Sequence, residues 1–352
     1  LETTHLIITK VAFGGSGIGT LPSGKVCFVP YVIPGEVVTA RILRDKKNYA
    51  EARLESLHEA SPHRVQPPCP VFGTCGGCQY QHIAYPLQLT IKRDQVIEVL
   101  TRIGGLANPP VEPTIPSPQE YGYRNRISVH SLAGKTGFFE RGTRKVVDVA
   151  ECPIASPGVN AKLAELRKEK PDEGEYALRE PSEFYGFRQV NDAAAELLLS
   201  VVEEVAQPGG TLLVDAYCGA GFFARRLQSH FQNVIGLEWS ADAVRHARRE
   251  SATNVSYIQG DVIEHLETAM AAALPSETTV LFDPPAEGLP QSVIDQISSR
   301  PPARIIYVSC DPATLARDLK KLAPTHSLIR ICPVDMFPQT AQIECVAVLA
   351  AI

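Results

Sequence analysis

Apolar and polar positions change rhythm along the chain. In the front part the apolar runs are short. Leu6-Ile7-Ile8, Val26-Cys27-Phe28-Val29 and Val37-Val38-Thr39-Ala40 are rich in β-formers. Gly14-Gly15-Ser16-Gly17-Ile18-Gly19, Pro22-Ser23-Gly24 and Pro34-Gly35-Glu36 punctuate them as turns. Evenly spaced short strands over residues 1–59 predict a small closed barrel of the OB type. No Gly-Lys-Ser/Thr follows the Gly14–Gly19 run, so it predicts a hairpin corner rather than a phosphate cradle. Between 85 and 103 the period lengthens. Leu87, Ile91, Val96, Ile97 and Leu100 fall at helical spacing, and Gly104-Gly105 ends the run. A Pro-rich linker at 109–118 leads into alternating aromatic, basic and branched residues at 121–150, which predict a second sheet.

From about residue 190 helix and strand alternate. Asn191–Ala206 is apolar at helical period. Leu212–Asp215, Val234–Glu238, Val255–Ile258, Val280–Asp283 and Ile305–Val308 read as five buried strands with helical spacers, which predicts a doubly wound parallel sheet. Ser327–Val334 and Ile343–Leu349 close the chain. Their connection is too short for a helical crossover, so they should pair antiparallel.

Composition bounds this picture. At 352 residues and 38.2 kDa the chain predicts two or three domains. With 44% hydrophobic and 21% charged residues, wholesale disorder is excluded. The formal net charge of −5 hides an asymmetry: residues 1–150 carry 17 Lys and Arg against 12 Asp and Glu, and residues 151–352 carry 17 against 27. A basic front half thus joins an acidic back half, and each suits a different partner. No run approaches ~18 apolar residues, so no membrane helix is expected. The stretch Leu1–His5 shows neither a basic nor an apolar signal region, so no secretory signal is expected. Nine cysteines, three of them at 69, 75 and 78, predict metal binding in a reducing cytoplasm rather than a disulfide framework. Their chemistry alone suits zinc or an iron–sulfur cluster equally.

Candidate chemistry gathers at strand ends. A strand ending at Asp215, then Gly219-x-Gly221-x-x-Ala224, then Glu238 at the next strand end fits a site for an adenosine-ribose cofactor, either NAD or S-adenosylmethionine. Asp283-Pro284-Pro285-Ala286 leaves the fourth strand. Methyltransferases acting on exocyclic amines carry an aromatic where Ala286 stands, which argues against an amino target. Cys310, in Val308-Ser309-Cys310-Asp311-Pro312, occupies the position of a nucleophile, and the helix starting near Pro312 is expected to lower its pKa. Glu344, among apolar neighbours in the last strand, has a pKa that burial should raise, suiting it to proton abstraction.

These motifs resemble the RNA uracil-5-methyltransferases, enzymes that use S-adenosylmethionine to make 5-methyluridine in rRNA and tRNA. The resemblance covers almost the whole chain. Residues 1–59 resemble the TRAM domain, an OB-like RNA-binding barrel. Cys69, Cys75, Cys78 and Cys152 resemble the family's [4Fe–4S] ligands. Phe187-Arg188-Gln189-Val190-Asn191 is similar to the segment whose Gln meets the cofactor. The run from Tyr307 to Leu319 is close to the nucleophile signature, and Asp335-Met336-Phe337-Pro338-Gln339-Thr340 leads into the base, matching Glu344. The resemblance implies a class I methyltransferase fold over 186–352, an α/β domain with a mostly parallel seven-stranded sheet. It also implies a small central α+β iron–sulfur domain over 60–185. Cys310 would add to C6 of uracil, C5 would take the methyl group, and Glu344 would remove the C5 proton. Tyr217, Glu238 and Asp261 would line the adenosine site, with Asp283 and Gln189 orienting base and methyl donor. The partner implied is RNA, 23S rRNA ahead of tRNA, in the cytoplasm, with no membrane and no protein partner.

Three positions depart from the family pattern: Phe222 replaces an Asn, Ala286 an Arg, and Gln342 a His. Competing readings are weaker. A cytosine-5 RNA methyltransferase would carry a second cysteine in the fourth-strand motif. An NAD-dependent oxidoreductase leaves Cys310 and the closing hairpin unused, and a silent RNA-binding protein leaves both signatures unused. Arg41, Arg44, Lys46, Lys47, Arg53, Arg124, Arg126, Arg141, Arg144 and Lys145 are the residues expected to meet RNA phosphates.

Overall fold

The computed structural model describes residues 2–181, 189–249 and 251–352. They divide into two compact units. The first gathers the described residues of 1–95, 117–181 and 337–342; the second holds those of 96–116, 189–336 and 343–352.

In the first unit, β1 (Thr3–Ile7), β2 (Lys10–Val11), β3 (Ser16–Thr20), β4 (Val26–Pro30), β5 (Val37–Asp45) and β6 (Tyr49–Glu59) form one sheet in the order β1-β5-β6-β4-β3-β2. β1 pairs with β5 and β2 with β3, yet only Ile8 and Thr9 separate β1 from β2. One bent strand therefore joins both edges and closes the barrel, as the short-strand pattern predicts. Leu6, Ile8, Cys27, Val29, Val38 and Ala40 fill its interior. The Gly14–Gly15 segment turns β2 into β3, with the Gly15 amide donating to the Ala12 carbonyl.

Helix α1 (Tyr85–Arg102) follows the cysteine-containing loop. Its buried face carries Ile91, Val96 and Leu100, but also Gln88, Lys92 and Gln95. β7 (Arg126–Leu132), β8 (Lys135–Phe139), β9 (Val146–Asp148) and β10 (Gly174–Arg179) form a second sheet in the order β10-β7-β8-β9. Helix α2 (Pro157–Glu169) precedes β10 and is capped by the Ser156 hydroxyl, which accepts from the Val159 amide. The apolar pattern leaves both α2 and β10 unread, because they are short and mostly polar. Val159 and Leu163 are its buried side chains, with Leu166 packed beside them.

The second unit is the alternating half. Its elements are α3 (Asp192–Ala206), β11 (Gly210–Ala216), α4 (Phe222–Leu227), β12 (Phe231–Glu238), α5 (Ala241–Arg249), β13 (Val255–Gln259), α6 (Val262–Met270), β14 (Thr278–Phe282), α7 (Gln291–Ser299), β15 (Arg304–Ser309), α8 (Pro312–Leu322), β16 (His326–Val334) and β17 (Glu344–Ala351). The seven strands run β13-β12-β11-β14-β15-β17-β16. The first five are parallel; β17 is antiparallel to both β15 and β16. This is the class I methyltransferase sheet expected from sequence. The strand order reverses between β11 and β14, the point at which open α/β sheets leave a crevice for ligands.

The Pro-rich segment read as a linker does more than connect. Its Glu112 and Ile115 amides donate to the Ile331 and Pro333 carbonyls, and Ile331 donates to Pro110. It covers the edge strand β16 as far as its prolines, which lack an N–H, allow. Among the described residues no helix is long and apolar enough to cross a membrane.

Candidate active site

The carboxyl ends of β12, β11, β14 and β15 and the amino end of β17 lie along one edge of the sheet, and the loops there carry most of the residues singled out from sequence. After Ala216 the backbone enters a tight turn in which Tyr217, Gly219 and Gly221 all have positive φ, at 65°, 53° and 80°. Glycine is required at 221, where an added Cβ would lie 2.4 Å from the Tyr257 hydroxyl. Nothing lies within 4 Å of where a Cβ on Gly219 would project, so its face is open for close approach. Glu238, at the end of β12, accepts from the Gly219 amide at 3.0 Å through Oε2 and from the Ser240 amide at 2.7 Å through Oε1. Its carboxylate is thereby aimed across the glycine turn, and the remaining lone pairs suit two ribose hydroxyls. Asp261 caps α6, its Oδ1 accepting from the Ile263 amide at 2.9 Å. Gln189 stands two residues before Asn191, the N-cap of α3. Phe187 and Arg188 of the same motif lie outside the described residues.

Buried Asp215 holds the turn from below. Its Oδ2 accepts from the Ala224 amide at 2.9 Å, and Oδ1 has no hydrogen-bond partner among the described residues. Burial above all, with Asp283 and Glu238 nearby, pushes its pKa up to about 8. Desolvation likewise pushes Asp283 up to about 7.

The other half of the site is built by register. Ser309 of β15 pairs with Cys345 of β17, and Val334 of β16 pairs with Glu344. One step further along β15, Cys310 therefore comes level with Glu344. Phe282 pairs with Tyr307, which brings Asp283 to the same end on the strand beyond. Cys310 is exposed and Glu344 is 4% exposed. Glu344 is no edge-strand acid, since β17 lies between β15 and β16. Burial, reinforced by Asp283, holds its pKa well above the usual carboxylate range.

The expected lowering of the Cys310 pKa is corrected here. Desolvation, followed by Glu344, Asp283 and Asp311, pushes it up to about 11. The helix that was to stabilise a thiolate spends its first amides elsewhere: Asp311 Oδ1 accepts from both Ala313 and Thr314 at 2.8 Å. Desolvation, with the three neighbouring acids behind it, thus raises the thiol despite the helix that follows.

Sequence reasoning missed Asp318. It is buried on α8 and accepts from the Tyr307 hydroxyl and the Leu289 amide, both at 2.9 Å, and from Arg317. It thus ties the loop after Asp283-Pro284-Pro285 to the helix after Cys310. The signal was present: Leu315, Asp318, Leu319 and Leu322 share one helical face, so the acid falls on the apolar side. Trp239 was also passed over; the chain's one tryptophan follows Glu238 and is 72% exposed. Of the departures, Phe222 opens α4 and meets Phe223 edge-on, and Ala286 is exposed. Gln342 accepts from Arg124 at 3.3 Å.

The four cysteines lie in the first unit as free thiols. Burial and the neighbouring thiols together raise Cys75, Cys78 (to about 12) and Cys152, and Cys69 acts on both Cys75 and Cys152. They are near enough to repel one another when ionised. Among the described residues, however, no group of three or more His, Cys, Asp or Glu side chains could hold a metal ion, so the expected iron–sulfur domain is not displayed. Four cysteine thiols are the donor type that an iron–sulfur cluster takes.

Several of the basic residues are locally engaged. Arg41 pairs with Glu55, Arg44 with Glu51, and Arg141 reaches Ser16 while lying over the Tyr31 ring at 5.5 Å. Lys46, Lys47, Arg53, Arg144 and Lys145 are exposed.

Comparison with known proteins agrees with this fold. Residues 2–54 match the model of the TRAM domain, and residues 270–352 that of the tRNA (uracil-5-)-methyltransferases. The chain is 32% identical to an uncharacterized RNA methyltransferase of Nostoc sp., covering 99% of this chain and 96% of that protein. It is 34% identical to another from Bdellovibrio bacteriovorus, covering 98% and 94%. Its structure is similar to the Pyrococcus abyssi tRNA (uracil-54, C5)-methyltransferase in complex with S-adenosyl-L-homocysteine. The TM-score is 0.74 and the identity 26%, over 99% of this chain and all of that one.

Proposed function

Because the chain belongs to the S-adenosylmethionine-dependent RNA (uracil-5-)-methyltransferase family, we propose that it methylates C5 of a specific uridine through a transient bond between Cys310 Sγ and C6. The observation that carries this reading is the strand register that brings Cys310 level with Glu344. S-adenosylmethionine, when bound, supplies the methyl group and a sulfonium positive charge. Glu238, with Tyr217 and Asp261, holds the adenosine end, and Gln189 and Asp283 orient the methyl donor and the base.

The Cys310 thiolate adds to C6, and the C5–C6 π electrons shift toward O4. C5 is then an enolate carbon and takes the methyl group. Glu344 accepts the proton from C5, the pair left behind restores the C5–C6 double bond, and Sγ departs as thiolate. The target uridine must leave its stack to reach these groups, at a cost of a few kcal/mol that a looped-out base avoids.

The RNA favoured is 23S rRNA, on the TRAM barrel taken together with the cysteine set. A tRNA is the second reading, which the likeness to the Pyrococcus enzyme favours. Mapping 5-methyluridine by mass spectrometry in rRNA and tRNA of a deletion strain is expected to find one rRNA position missing. Loss confined to tRNA selects the second reading, and an unchanged map in both overturns the proposal.

We further propose that Cys69, Cys75, Cys78 and Cys152 hold a [4Fe–4S] cluster with a structural or RNA-orienting role, since methyl transfer moves no electron. Anaerobically purified protein is expected to be brown and to contain iron. A colourless protein with zinc alone would refute this.

A further inference from the structure

Phe337, Pro338, Gln339 and Thr340 make a turn closed by the Thr340 amide donating to the Phe337 carbonyl at 3.2 Å. Proline stands at its second position and a residue of positive φ at its third, the arrangement of a type II turn. Glycine is the usual third residue. Here it is Gln339, at φ 68° and buried. A left-handed non-glycine persists only where its surroundings over-determine it, and such residues cluster at functional sites.

Gln88 supplies that constraint from α1. Its Oε1 accepts from the Gln339 amide at 3.1 Å, and its Nε2 donates to Gln339 Oε1 at 2.9 Å. Nε2 also donates to the Ile83 carbonyl at 2.8 Å. The Gln339 carbonyl accepts from the Gln79 and Tyr80 amides, and Gln79 Oε1 accepts from the Ala341 amide at 3.0 Å. Tyr123 and Lys92 donate to the Pro338 and Phe337 carbonyls. The chain then runs through Gln342 and Ile343 directly into Glu344, the first residue of β17. Every peptide of the turn is thus fastened immediately before the residue that must reach C5.

We propose that Gln88 and Gln339 are positioning residues for the proton abstraction: their paired side-chain amides fix the turn that sets where the Glu344 carboxylate stands. This rests on the covalent reading above. Removing the base's proper placement stalls the reaction after methyl transfer, because Cys310 can leave C6 only once the C5 proton has gone. A displacement of about 1 Å is enough for a loss of roughly a hundredfold.

The experiment uses the whole chain with uridine RNA and S-adenosylmethionine. Two variants are made: Gln88→Met, close to Gln in size but without the amide, and Gln339→Gly, which suits the left-handed turn but lacks the side chain. Both are expected to slow product release by roughly 10- to 100-fold and to accumulate a methylated protein–RNA adduct that survives denaturing gels. Trapping by 5-fluorouridine RNA, which needs no proton removal, is expected to stay at the wild-type rate. A merely structural role would depress trapping and release together. Wild-type release by Gln339→Gly overturns the proposal, and that variant decides if Gln88→Met fails to fold. If the wild-type protein itself does not trap 5-fluorouridine RNA, the covalent reading fails instead.

Discussion

Replacing Cys310 by alanine is expected to abolish uridine methylation, a loss of about 10^4-fold or more, while binding of RNA is retained. C5 of a neutral uracil is too weak a nucleophile to take a methyl group, and only addition at C6 changes that. No other thiol can substitute. Cys345 is on the adjacent strand but buried, and Cys218, within the glycine turn, is buried too. The same side chain gives a second reading without RNA. With a pKa near 11, about one Cys310 in ten thousand is thiolate at pH 7. Its alkylation by iodoacetamide, followed by peptide mass spectrometry, should therefore rise about tenfold per pH unit and level off near pH 11. The sign follows from desolvation first and the neighbouring acids second: both favour the neutral thiol, and rising pH removes its proton. Undiminished methylation by Cys310→Ala would refute the mechanism. A flat alkylation profile from pH 7 would refute the electrostatic account.

Glu344→Gln is expected to lower turnover by about 10^2- to 10^4-fold while leaving the covalent step intact. The amide keeps the shape of the side chain and cannot take the C5 proton. The methylated base should then remain attached to Cys310, visible as a protein–RNA band on a denaturing gel with ordinary uridine RNA. The wild-type enzyme should show no such band. Burial and Asp283 raise the Glu344 pKa, so its competent, ionised fraction grows as pH rises and activity should fall on the acid side. An adduct-free Glu344→Gln protein with full turnover would remove Glu344 from the mechanism.

The five parallel strands were legible because strands covered on both faces are continuous apolar runs; Leu212–Asp215 and Ile305–Val308 could hardly be read otherwise. The positions of Cys310, Glu344 and Glu238 were legible because each ends or begins such a run. Their electrostatics were not. The environment of Cys310 is set by Asp283 and Glu344, residues 27 and 34 positions away that meet only through strand order. The dipole argument used only its sequence neighbours, and overlooked that Asp311 consumes the helix amides. The Gln88–Gln339 contact was hidden for the same reason, with 251 positions between its partners. α2 and β10 escaped because a mostly polar helix with two buried side chains leaves little period to detect.

β17 enters the sheet against the direction of its neighbour β15. A catalytic group that follows a parallel strand sits in a loop, where insertions and drift accumulate. Glu344 instead opens its strand and is paired within the ladder to Val334. Its place in the sheet is thereby fixed by main-chain pairing. Shifting β17 against its neighbours by a single residue would turn the Glu344 carboxylate to the other face of the sheet.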